Sequence, residues 1–343
     1  MKALFRWYGP SDAVTLERIR QIPGVHGVVT ACYDIPAGER WPEAEVAGLS
    51  AQAAAAGLTF PVAEGVPVHE SIKLGRPDRD IYLEAYCQTI RALGRQGVRV
   101  ICYNFMPVFG WIRTQLHRRL PDGSETVAFS QREADALDPT AGDLALPGWN
   151  FSSKKEELGK LLEAYRALGP LGLRENLRYF LTAVVPAAEA AGVTLAIHPD
   201  DPALPIFGLP RIVSTAEDVD VLLAMVDSGA NGLTLCTGSL GSRRETDLAA
   251  LARRHAKRIP FVHARNLRYE PDGFYECGHA EGDLDLFSIF KNLRLGGFDG
   301  YVRADHGRMI WGEAGRPGYG LFDRALGISY LTGLWEAVSR MQL

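Results

Sequence analysis

The 343-residue chain predicts an α/β fold, a (β/α)8 or TIM barrel with an inserted lid after its fourth strand. Three observations carry this. Eight short apolar runs alternate with eight amphipathic stretches, the order that a parallel sheet with crossover helices imposes. The runs are nearly continuous in apolar residues, as strands covered on both faces should be. No Gly-x-Gly-x-x-Gly follows the first run, which weakens the competing doubly wound nucleotide-binding sheet.

The first strand is expected over 3–9 (ALFRWYG), followed by a helix over 11–22 with Ser11 as its N-cap. Strands over 25–31 and 66–71 flank a helix over 39–57, and a helix over 78–97 leads into the strand 98–104. The helix over 177–192 contains Pro186, which predicts a kink or break, and precedes the strand 193–199. Strands over 232–238, 260–266 and 300–307 alternate with helices over 214–229, 243–258 and 284–297. Ser214 or Thr215 caps the first of these helices, Gly229 closes it, and a terminal helix lies within 319–341. Residues 105–175 are too long for a simple loop and carry Gly, Pro and aromatics, so an insertion covering the active-site face is expected there. With no internal repeat or low-complexity linker, the whole span 1–343 reads as a single catalytic domain.

A net charge of −4 argues against nucleic acid and membrane surfaces as partners, since both select a basic face. No run reaches the roughly 18 apolar residues of a membrane span. The opening lacks the pattern of a signal peptide, and the five cysteines (Cys32, Cys87, Cys102, Cys236 and Cys277) form no Cys-x-x-Cys pair. A reduced, cytoplasmic protein is expected.

Chemistry in such a barrel sits at the C-terminal strand ends. Those ends, from the fifth strand onward, carry His198, Cys236, His263 and Asp305. Singly, each has an ordinary reading: a hydrogen-bonded histidine, a thiol filling the core, a helix-capping aspartate. At matched ends of four consecutive strands they form a set able to bind a divalent transition metal. Arg265 lies two residues after His263 and Arg303 two before Asp305, each on its neighbour's face. Unpaired arginines are rare inside barrels. They therefore imply either an anionic substrate or salt bridges to a rim carboxylate such as Glu70, Asp200 or Asp201. Asn104, Trp111, Arg113 and Asp200 are further rim residues expected at a substrate. His306, directly after Asp305, suits general acid/base work, and the loop CTGSLGS, opening a helix, suits an anion.

The stretches FRWYGPSD, IPGVHGVV, VHESIKLG, NFMPVFGWIRT, IHPDDP, GLPRIVST, LCTGSL, VHARN and RADHGRMIWGE resemble, in order and along the whole chain, the mannonate dehydratase family of the xylose-isomerase-like barrels. The resemblance implies a hydro-lyase that removes water from D-mannonate, giving 2-keto-3-deoxy-D-gluconate in hexuronate breakdown. It implies one Mn2+ or Fe2+ on His198, Cys236, His263 and Asp305, and an acid/base pair of His306 and Tyr319. Thiolate softness favours Fe2+ or Zn2+ over Mn2+. A small sugar acid is the expected partner, in a homo-oligomer of two or more chains. Two alternatives stand beside it. A sugar isomerase or epimerase on the same barrel would usually hold metal through several carboxylates; a non-catalytic sugar-acid-binding barrel would tolerate loss of His306 or of the metal set.

Overall fold

The structure is a computed structural model that describes residues 1–140 and 155–341. Its strands in chain order are β1 (Lys2–Arg6), β2 (Val25–Thr30), β3 (Thr59–Glu64), β4 (Val100–Tyr103), β5 (Gln115–Arg119) and β6 (Glu125–Ser130), then β7 (Thr194–Ile197), β8 (Asn231–Cys236), β9 (Phe261–Ala264), β10 (Asn266–Glu270), β11 (Gly273–Cys277) and β12 (Tyr301–Ala304). Eight of them close into the expected parallel barrel, in the order β1-β12-β9-β8-β7-β4-β3-β2. The barrel interior is plugged by Leu4, Val29, Val62, Val100, Cys102, Ala196 and Phe261. A larger apolar layer fills the space between strands and surrounding helices. Parallel register sets the upper rim: Cys236 pairs with His263, and His263 with Arg303.

The third strand is not at 66–71. It runs over Thr59–Glu64, and 66–71 instead forms a loop entering the short helix Glu70–Lys73, whose cap is His69. Pro61 hides this strand from a pattern reading. It is tolerated because the register with β2 shifts between Gly27 and Val29, so Pro61 lies where the ladder is irregular. The first helix is only Leu16–Arg20, and its cap is Thr15 rather than Ser11. Pro186 produces no break: the helix Lys155–Ala191 leaves helical geometry only at Gly169, where φ is 65° ahead of Pro170. Thr215 caps Ala216–Met225 as expected, in a reciprocal capping box with Asp218. Part of the expected insertion, residues 141–154, lies outside the described residues.

The rest of that insertion holds the hairpin β5–β6, which is half of a second sheet. The other half is an unanticipated hairpin, β10–β11, directly after β9, and together they give an antiparallel sheet in the order β10-β11-β6-β5. Both hairpins turn at the same tripeptide, Pro121-Asp122-Gly123 and Pro271-Asp272-Gly273. Proline presets the first corner, and aspartate binds its own backbone two residues on, as Asp122 Oδ1 does with Ser124 N–H at 2.9 Å. Gly273 has a second reason to be glycine. A Cβ there would lie 1.9 Å from the Phe129 carbonyl oxygen on β6.

Candidate active site

A cavity of about 180 Å3 opens at the C-terminal rim. Strand β1 supplies Arg6, β3 supplies Glu64, and the segment after β4 supplies Asn104, Met106 and Trp111. His198 and Asp201 follow β7, and Arg303, Asp305 and His306 come from the end of β12, with Tyr319 beyond. Cys236 and His263 stand beside it at the ends of β8 and β9.

His198, Cys236 and His263 converge, with their ligand atoms all within 4.8 Å of one another. The outer ring nitrogen of each histidine is tied to an oxygen: His198 Nδ1 lies 2.7 Å from the Pro199 carbonyl, and His263 Nε2 lies 3.1 Å from Glu64 Oε2. Placing the ring protons on those bonds leaves two lone pairs, on His198 Nε2 and His263 Nδ1, facing each other across 3.1 Å. Arg303 Nη2 also reaches His263 Nδ1 at 3.3 Å. A cation between the two imidazoles would satisfy both facing nitrogens, and outward hydrogen bonds of this kind are how proteins orient histidine ligands. The Cys236 thiol sits 3.6 Å from Asp305 Oδ2 and accepts a hydrogen bond from Ser239 at 3.0 Å. Asp305 Oδ1 is buried without a hydrogen-bond partner; Arg303 Nη1 is 2.7 Å away as an ion pair. Burial opposes ionisation of Asp305, yet Arg303, His306 and Arg265 hold its carboxyl well below the usual range. Two imidazoles, a thiol and an ionised carboxylate make a donor set that fits a divalent transition metal.

A second triangle, Glu64, Cys102 and His263, is equally compact. It is a poor cation site. Glu64 is already bound by Arg303 through Nε at 3.0 Å and Nη2 at 2.9 Å, and by Arg6 Nη1 at 3.0 Å. Burial also pushes the Cys102 thiol well up, so it stays neutral.

Beside the metal set runs a chain of polar groups: Glu276, His306, Tyr319. His306 Nε2 is 2.8 Å from the Tyr319 hydroxyl. His306 Nδ1 lies 3.0 Å from Glu276 Oε1 and 2.7 Å from Arg265 Nη1. Burial, with Tyr8 and Asp305 nearby, raises the Tyr319 phenol well above its ordinary range, so it carries its proton at neutral pH. Trp111 covers the pair, its ring centroid 4.4 Å from that of His306.

Among the other expected substrate residues, Asn104, Trp111 and Arg303 line the cavity. Arg113 and Arg265 do not. They lie behind it, fully buried, each bridging Asp201 and Glu276 at 2.6–3.0 Å. Both arginines form salt bridges, Arg265 with Asp201 and Arg303 with Glu64, and Arg303 also faces the cavity. Asp200 also turns away: its Oδ2 accepts from Ile212 N–H, Val213 N–H and the Ser214 hydroxyl, while its neighbour Asp201 reaches the cavity. The CTGSLGS loop cradles Arg265 rather than leaving room for an anion. Thr237 Oγ1 donates to the Arg265 carbonyl at 2.6 Å, and a Cβ on Gly238 would fall 1.9 Å from Arg265 Nε.

Arg6, Glu64 and Glu276 were not anticipated. Glu64 ends the strand that Pro61 disguised. Glu276 sits on the hairpin that the second Pro-Asp-Gly tripeptide announces, so a signal for it was present in the sequence.

Comparison with known proteins settles the family. The D-mannonate dehydratase (UxuA) model matches residues 1–343. The chain belongs to the D-mannonate dehydratase family. It is 49% identical to a mannonate dehydratase of Streptococcus uberis over 98% of this chain and 99% of that protein. A mannonate dehydratase of Thermotoga petrophila is likewise 49% identical, over 100% and 99% of the two chains. The crystal structure of mannonate dehydratase from Streptococcus suis serotype 2 superposes with a TM-score of 0.92 at 45% identity, covering 99% of this chain and 95% of that one. L-ribulose 3-epimerase, at 15% identity and a TM-score of 0.55, shares the fold alone. Mannonate dehydratases are metal-dependent hydro-lyases, and the convergent His198, Cys236 and His263 are consistent with that requirement.

Proposed function

We propose that this chain removes water from D-mannonate to give 2-keto-3-deoxy-D-gluconate. In this reading one Mn2+ or Fe2+ is held by His198, Cys236, His263 and Asp305. The carrying observation is the placement, at one rim, of the convergent His198, Cys236 and His263 beside the hydrogen-bonded pair His306 and Tyr319.

The C2 proton of a sugar acid is weakly acidic because the neighbouring carboxylate is already negative. A divalent metal held by these four residues would supply Lewis-acid charge that offsets the negative charge of the substrate. Everything else falls to side chains. His306 Nε2 takes the C2 proton, while Glu276 and Arg265 at Nδ1 fix the orientation of the ring. Tyr319, held protonated, gives its hydroxyl proton to the departing C3 oxygen, which leaves as water. The enol so formed becomes the 2-keto acid as its C2 hydroxyl loses a proton and C3 takes one from water. The proton on His306 then crosses the 2.8 Å bond to the tyrosinate and both groups are restored. Trp111 over the pair keeps bulk water from competing.

Five free cysteines suit a reducing compartment, and no helix among the described residues is long and apolar enough to cross a membrane. A homo-oligomer completes the reading, with Ile81 and Leu171, both strongly exposed, as large apolar side chains available to such a contact. The catalytic unit is taken as the whole chain, because the segment after β4 lines the same cavity as the barrel strands.

The decisive experiment incubates the metal-loaded protein with D-mannonate and analyses products by mass. A product lighter by one water and carrying a 2-keto group is expected. Recovery of an isomer or epimer of unchanged mass, or of intact substrate, overturns the reading.

A further inference from the structure

Above the inner cavity lies a second, wider one of about 1020 Å3. The two share Arg6, Glu64, Gly65, Trp111 and Tyr319, which therefore form the neck between them. Arg6 is the charged donor at this neck, and its side chain is only 7% exposed. Its guanidinium lies near two aromatic rings, 5.0 Å from the centroid of Tyr8 and 5.5 Å from that of Tyr33. Rings at the faces of a guanidinium leave its N–H edges for hydrogen bonding. Yet Arg6 Nε is buried with no hydrogen-bond partner, and Nη1, equally buried, meets Glu64 only as an ion pair. Glu64 fixes the charge from 3.0 Å but has nothing left to offer, since both its oxygens are also bound by Arg303 and one by His263.

Buried donors without acceptors are unfavourable, and proteins keep them where a ligand supplies the acceptor. His198 and Asp305 line the inner cavity and not the outer one, so the metal set would take the carboxylate end of a sugar acid on the side away from the outer cavity. What reaches the neck is then the far end of the carbon chain. We propose that Arg6 hydrogen-bonds the terminal hydroxyls of the substrate and so selects six-carbon sugar acids over shorter ones. This rests on the dehydratase reading above. Lysine would keep the charge but not the two adjacent N–H donors.

The test compares D-mannonate with the five-carbon aldonate that keeps the C2–C4 configuration, using metal-loaded wild type, Arg6→Met and Arg6→Lys. Metal content is measured in parallel. Where the five-carbon acid is bound but not turned over, its inhibition constant takes the place of kcat/KM. Arg6→Met should lower kcat/KM for the six-carbon acid by roughly 10–100-fold, the range for hydrogen bonds to a charged donor. The loss should appear chiefly in KM, the five-carbon acid should change little, and Arg6→Lys should recover part of the loss. Equal losses on both acids would place Arg6 at an end they share and overturn the proposal, as would an unchanged preference for six carbons. If Arg6→Met fails to fold, Arg6→Lys and Arg6→Gln read the same ratio. Wild type that leaves D-mannonate intact would defeat the dehydratase reading instead.

Discussion

Glu276 is buried with no exposed side-chain surface, and a single oxygen, Oε1, serves Arg113, Arg265 and His306. Burial alone would raise its pKa; His306, Arg265 and Arg113 outweigh burial and bring it from the usual 4.5 down to about 2. That difference corresponds to about 3 kcal/mol of stabilisation by the carboxylate. The figure agrees with the roughly 3–5 kcal/mol lost when one partner of a buried ion pair is removed. Replacing Glu276 by Gln keeps the shape and removes the charge. With an unfolding entropy near 2.1 cal/mol/K per residue, 3 kcal/mol in a chain of this length lowers Tm by about 4 °C. The dependence on pH has a definite sign. A carboxyl whose folded pKa is depressed stabilises fully above its unfolded pKa, and that contribution fades as pH falls toward the folded one. The gap in Tm between wild type and Glu276→Gln should be full at pH 7 and shrink between about pH 4.5 and 2. Scanning calorimetry of both proteins at matched metal content across that range measures it. A gap that is absent at pH 7, or that stays constant down to pH 2.5, would show that the carboxylate charge is not what holds the two arginines.

Cys236→Ser and His263→Ala should each lower metal occupancy, read by elemental analysis after dialysis; full occupancy with unchanged affinity in both would return Cys236 to the role of core filler. His306→Asn should keep metal and Tm while kcat falls by roughly 10²–10⁴, the range for one acid/base group, with KM changing less. Loss of metal in that variant would make His306 a ligand. Trp111→Ala should raise KM and lower kcat together, as removing a cover over reacting groups does; steady-state kinetics with both constants untouched would reduce Trp111 to packing.

Seven of the eight barrel strands can be placed from their apolar runs, because a strand buried on both faces leaves an unbroken signature. The third fails for a local reason: Pro61 at an irregular register breaks the signature, while the neighbouring VPVHES imitates it with β-branched residues. That one slip conceals Glu64, and with it the partner of Arg303 and His263. His198, Cys236, His263 and Asp305 are legible because each ends a strand, where position implies direction. Asp200 and Asp201 are not separable in this way. Both follow the end of β7, and the backbone amides of Ile212 and Val213 with the Ser214 hydroxyl, from a later loop, decide which of them turns from the cavity. Arg113 and Arg265 look like substrate ligands in sequence because the carboxylates that neutralise them, Asp201 and Glu276, come from other loops.

The small antiparallel sheet bears on how this barrel can diversify. TIM barrels usually vary their chemistry by exchanging single loops on a constant frame. Here β5–β6 and β10–β11 leave the frame at separate points and complete each other through the pairing of β6 with β11. Grafted alone, either hairpin would expose an unpaired strand edge, a template for aggregation. It would also break the wall that joins Arg113, on one excursion, to Glu276, on the other. The two excursions form one unit of inheritance, so a new specificity at this face has to arise by changing side chains within the wall or by replacing both hairpins together.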